Sequence, residues 1–76
     1  MPHISVKCRP GLAGEEKRKL AEALVKTANS VFEVGEDAFS VTIEEIPVED
    51  WKEKVYIPEI IGRKEILYKK PGYTLD

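Results

Sequence analysis

One cysteine, Cys8, in 76 residues leaves no partner for an internal disulfide and rules out a multi-cysteine metal site. An excess of basic charge is missing too. Twelve Lys and Arg against 14 Asp and Glu give a net charge of −2, which makes nucleic acid a poor candidate partner. No apolar run is long enough to span a bilayer, so no membrane association is expected. A basic stretch followed by an apolar one, the mark of a secretory signal, is lacking at the start, and the expected compartment is the cytoplasm. Gly11 and Gly14 lack the spacing and the lysine of a phosphate cradle. There is no internal repeat and no low-complexity segment. A chain this short is expected to form one domain, 1–76, with a core that is marginal alone.

What the chain does have is an unusual start, Met1-Pro2-His3-Ile4-Ser5-Val6-Lys7-Cys8. If Met1 is removed, the nitrogen of Pro2 becomes a free secondary amine, a good base and nucleophile. If Met1 stays, that nitrogen is an amide with neither a basic lone pair nor an N–H. From His3 the residues alternate, with Ile4, Val6 and Cys8 on one side and His3, Ser5 and Lys7 on the other. This predicts a strand over 3–8, with Pro2 on the side of Ile4. Arg9-Pro10-Gly11 ends it.

Residues 15–34 predict a long helix. Glu15 and Glu16 suit its first turn, and Leu20, Leu24, Ala28 and Val31, widened by Ala21, Val25 and Phe32, form its apolar face. Gly35 is the expected C-terminal cap. Residues 38–46 alternate again and predict a second strand closed by Pro47. The fold class is therefore α/β: a βαβ unit with two parallel strands joined by a long crossover helix. Residues 48–56 predict a short helix that Pro58 breaks, unless Pro58 starts the next helix as its first residue, and 59–69 predict a weaker helix with Lys69 and Lys70 at its end. Pro71-Gly72 predicts a turn and 73–75 a short extended tail. A two-stranded parallel sheet is too small to stand alone, so a homo-oligomer is expected, most simply a twofold dimer with a joined four-stranded sheet.

With these elements in place, the chain resembles the tautomerase superfamily, and within it the 4-oxalocrotonate tautomerase family. The shared features are Pro2 behind the initiator Met, a strand, a loop, a helix opening Glu15-Glu16-Lys17 and a second parallel strand. Similarity to a small dimeric bacterial branch runs further, through Pro2-His3-Ile4, Lys7-Cys8, Pro10, Trp51 and Lys69-Lys70-Pro71-Gly72-Tyr73, and so spans nearly the whole chain. The resemblance implies a keto–enol tautomerase that needs no metal or organic cofactor. The amino-terminal proline takes the hydroxyl proton from the enol or dienol of a small 2-keto acid and returns a proton to carbon. It also implies that Trp51 lies beside the proline and supplies an apolar wall that lowers its pKa.

The departures bear on substrate. Two arginines hold a dicarboxylate in well-known members of the family, and the matching positions here are Leu12 and Ser40. A diacid is a poor fit, and a monocarboxylate such as an aryl or alkyl enolpyruvate is expected. Among the remaining cations, which are Lys7, Arg9, Arg63, Lys69 and Lys70, Arg9 is the first choice for a carboxylate clamp. It ends the strand that Pro2 begins, roughly 20 Å away along one chain, so the two meet only across a subunit interface.

Other readings stay open on sequence. Pro2 can be simply a small penultimate residue that allows Met removal. Trp51 can anchor the short helix as well as line a site. His3 reads as a strand residue and Cys8 as a small buried hydrophobe, while Tyr56, Tyr68 and Tyr73 could donate a hydrogen bond to a developing enolate but read first as packing. The same amine, protonated, could drive hydration or dehalogenation of an unsaturated acid if Glu44 or Glu45 activated a water. A non-catalytic oligomeric module of the same fold is the remaining alternative.

Overall fold

The alternation at the start of the chain does form a strand, β1 (His3–Cys8), in the computed structural model, which describes all residues from Met1 to Asp76. It pairs in parallel with β2 (Ser40–Glu45), with His3 opposite Ser40 and Cys8 opposite Glu45. The pairing extends by one bond at each end. Ser40 N–H donates to the Pro2 carbonyl at 3.3 Å, and Ile46 N–H donates to the Cys8 carbonyl at 2.8 Å. The predicted βαβ unit is present, with α1 (Gly14–Phe32) as the crossover.

The entry to α1 is fixed by Glu16, whose carboxylate accepts the Ala13 N–H at 2.8 Å and so satisfies one donor at the helix start. Leu20, Ala21, Leu24, Val25 and Ala28 are half-buried along one face, and Lys17 reaches Glu45 on β2 at 3.1 Å. The helix therefore lies on the face of the sheet that carries Ile4, Val6, Val41 and Ile43. The opposite face shows His3, Ser5, Ser40, Thr42 and Glu44, all exposed. These are polar groups that water can cover.

The helix ends two residues earlier than the periodicity predicts. Its cap is Glu33, which takes the left-handed conformation at φ 55°. Asn29 makes this possible, since its side-chain oxygen accepts the N–H of Val34 at 3.1 Å and of Gly35 at 3.0 Å. Gly35, expected as the cap, instead opens a 3₁₀ turn over Glu36–Ala38 at φ 91°. That turn delays β2 from the predicted Ala38 to Ser40.

The C-terminal third departs most from expectation. Pro58 does not break a helix. A short α2 (Val48–Trp51) runs directly into a π-helical stretch, Lys52–Ile60, with Pro58 inside it. Proline in an α-helix clashes with the carbonyl four residues back, and the wider π turn relieves that clash. The predicted 59–69 helix is replaced by a 3₁₀ segment, Ile61–Ile66, with a non-helical kink at Arg63. Lys69 and Lys70 lie beyond it. Gly62 is required there because a Cβ would stand 2.7 Å from the Ile57 carbonyl oxygen. The final residues, 67–76, have no regular structure and fold back so that the Tyr73 ring packs on Tyr56 with centroids 5.8 Å apart. The Lys7–Glu59 ion pair, at 2.7 Å, ties this third to β1.

Only Ile46, Val55 and Tyr56 are buried. One helix layer on one sheet layer, in a body 41 × 31 × 19 Å, is too thin to hide more. The sheet stays open, and Val31, Phe32, Val34, Ile57, Ile61 and Ile66 remain exposed. No helix is long and apolar enough to cross a membrane.

Candidate active site

Pro2 heads β1 and is half-buried, with its carbonyl held by Ser40 N–H. Met1 precedes it and is fully exposed, so its removal costs no packing. Continuing the strand register by one step sets Phe39 opposite Pro2 on the same face of the sheet. Phe39 is half-buried and meets Phe32 edge-on, with centroids 5.8 Å apart at 80°. On the other face, His3 Nδ1 and Ser40 Oγ share a 2.7 Å hydrogen bond, which gives His3 a local structural partner.

A second group of residues gathers at the far end of the strand. Arg9, at the exit of β1, shares a cavity of about 490 Å³ with Val48, Trp51 and Lys52. The tail closes its other side with Tyr73, Leu75 and Asp76. Trp51 Nε1–H donates to the Tyr73 hydroxyl at 3.1 Å. The Lys52 ammonium donates to the main-chain oxygen of Asp76. Two predicted site residues, Arg9 and Trp51, are thus brought together. Pro2 is not with them: it sits at the opposite end of β1, roughly 20 Å away along the extended chain.

The charges around β1 sort the cations. Lys7 is committed to Glu59, and the hydrogen bond to that carboxylate raises its pKa above the ordinary 10.5. Glu45 is held by Lys17 and by the Gly11 N–H at 3.0 Å, and these bonds, the lysine's first, lower its pKa below the ordinary 4.5. A carboxylate so tied is poorly placed to activate water. Glu44 lies on the sheet face opposite to that of Pro2. Arg9 forms no ion pair. Of the tyrosines, Tyr56 is buried, Tyr68 is 96 % exposed, and Tyr73 alone reaches the cavity. Lys52, Leu75 and Asp76 are members of the cavity that the sequence did not mark. Lys52 adjoins Trp51, which was a signal. The return of the tail across more than twenty residues left none.

Comparison with known proteins places these residues in context. A family described as "Tautomerase enzyme" matches residues 2–53. A "Probable tautomerase" of Xylella fastidiosa (strain 9a5c) is 41% identical over 73 residues, covering 96% of this chain and 89% of that protein. "Tautomerase PptA" of Pectobacterium atrosepticum is 44% identical over 75 residues, covering 97% of this chain and 99% of that protein. "Tautomerase PptA" of Escherichia coli (strain K12 / DH10B) is 28% identical over 81 residues, covering 100% of this chain and 99% of that protein.

Proposed function

The chain belongs to the tautomerase family, and from that premise we propose that it is a keto–enol isomerase whose base is the amine of Pro2 after loss of Met1. The observation that carries the reading is the position of Pro2: first residue of a paired strand, pinned by Ser40 N–H, and beside the half-buried Phe39. The strand fixes where the amine points. Apolar neighbours disfavour the ammonium form and so lower the pKa of the amine toward neutrality, where a general base works best.

The reaction balances without outside help. The amine takes the hydroxyl proton of an enol, the enolate collapses to the ketone, and the ammonium returns a proton to the adjacent carbon. The amine is thereby regenerated. The substrate class is the enol of a small 2-keto acid with one carboxylate, because Leu12 and Ser40 stand where the family's diacid-holding arginines would be. Trp51 and Arg9 are its binding residues. Since they lie at the other end of the strand from Pro2 in one chain, the complete site joins Pro2 of one copy to the cavity of another. The open sheet and thin core favour the same assembly, a twofold dimer. Hydration or dehalogenation is a weaker reading, because Glu45 is tied to Lys17 and Gly11.

The test is ketonisation of the enol of phenylpyruvate by wild type and Pro2→Ala. The expected loss in kcat is at least about a hundredfold, the range of a lost general base, with an unchanged circular dichroism spectrum. The wild-type rate falls as pH drops, because only the free amine is active. Undiminished turnover by Pro2→Ala sinks the assignment.

A further inference from the structure

Resting on the reading of the Arg9–Trp51 cavity as the substrate pocket, we propose that Tyr73 is a further catalytic residue, whose hydroxyl donates a hydrogen bond to the C2 oxygen of the substrate as that oxygen becomes an enolate. Tyr73 lines the cavity together with Arg9 and Trp51. Its oxygen accepts the Trp51 Nε1–H at 3.1 Å, and an indole N–H can only donate. The phenol's own hydrogen bonds to no acceptor in the chain and is available to a ligand. The residue is 45 % exposed, which leaves that ligand room to reach it. The ring is nevertheless held in place. It packs on the buried Tyr56 with centroids 5.8 Å apart and planes 32° apart, and the half-buried Pro71 stiffens the chain two residues before it. A donor fixed before the substrate arrives needs no reorganisation when charge develops.

When the base takes the enol proton, the negative charge is left on the C2 oxygen. That oxygen keeps lone pairs for a second partner while the base approaches along the O–H bond. Tyr73 supplies the partner and retains its own proton throughout, so the balance of the isomerisation is unchanged. A bond to a charged oxygen is roughly twice as strong as one to a neutral oxygen, so most of the gain appears in the transition state. Trp51 adds to it. An N–H donated to the phenol oxygen polarises the phenol O–H, because hydrogen bonds in a chain strengthen one another. Trp51 thus acts on the reaction through Tyr73 as well as walling the cavity. The planar fork of Arg9 suits a carboxylate, and a single neutral donor suits the single oxygen on the next carbon. One cavity that holds Arg9 and Tyr73 serves both.

The test removes one oxygen atom at a time, first from the protein and then from the ligand. In ketonisation of the enol of phenylpyruvate, Tyr73→Phe is expected to lower kcat at least about tenfold, with KM within about threefold and an unchanged circular dichroism spectrum. Calorimetric titration needs no turnover, because the ketone is the stable form. Wild type is expected to bind phenylpyruvate at least about threefold tighter than 3-phenylpropanoate, which lacks the C2 oxygen, and Tyr73→Phe to bind the two equally. A tyrosine that only props the indole becomes dispensable once the indole is gone. The donor does not, so adding Tyr73→Phe to Trp51→Phe is expected to lower kcat at least about fivefold further. Full kcat in Tyr73→Phe, a ketone preference that survives it, or a harmless Tyr73→Phe in the Trp51→Phe background overturns the proposal. Pro2→Ala is expected to lose turnover and keep the ketone preference. An active Pro2→Ala therefore refutes the base assignment, while only the Tyr73 results bear on the donor.

Discussion

At the scale of single residues, the chain spends its charges in two ways. Some are tied into four ion pairs and hold the scaffold. Glu45 is the clearest case, bonded to Lys17 on α1 and to the Gly11 N–H of the loop that follows β1. Its lowered pKa fixes a sign. The stabilisation is present above the ordinary carboxylate value of 4.5 and is lost as pH falls through the lower folded value. Urea midpoints of wild type and Glu45→Gln are thus expected to differ at pH 7 and to converge as the solution is acidified below 4.5. A gap that persists at low pH contradicts the latch. Arg9 is in no ion pair and lines a cavity, which is where a binding role belongs. Pro2 was legible as a candidate because a proline behind the initiator Met can become a free amine, and Trp51 only through the resemblance to the family. Lys52 was not, because one lysine among many gains meaning only from the cavity it lines.

At the scale of elements, the first fifty residues were legible and the last twenty-five much less so. Strand alternation and helix periodicity are strong signals when one face is buried, and β1 begins and ends where the alternation does. Helix ends are weaker signals. Gly35 looks like the stop of α1, yet Asn29 draws the chain into a left-handed turn at Glu33 first. A side chain with a Cβ in that conformation costs about 1 kcal/mol relative to glycine. Glu33→Gly is therefore expected to raise the thermal midpoint by several degrees, measured by calorimetry. A lower midpoint means that the αL cap is not strained. Pro58 misled for another reason. The rule that proline ends a helix assumes α geometry, and the Lys52–Ile60 stretch avoids the clash by widening into π turns. No residue pattern announces that choice.

At the scale of the whole molecule, three buried residues cannot hold a 76-residue fold against chain entropy without help. The expectation of a partner copy came from the small sheet. The structure adds a sharper reason, because the far face of the sheet is polar and content in water. The exposed apolar groups lie instead at the end of α1, as Val31, Phe32 and Val34, and along the C-terminal segments. The proposed dimer would also bring Pro2 of one copy to the cavity of Arg9 and Trp51 of the other. A site shared between copies is the central claim, and subunit complementation tests it most directly. Pro2→Ala is co-expressed with a variant carrying Arg9→Ala and Trp51→Ala, each inactive alone. In a dimer with shared sites, random pairing restores about a quarter of the wild-type sites, and ketonisation returns to about that level. Mixed samples no more active than either variant alone would contradict the shared site and require Pro2 to work without its partner's cavity.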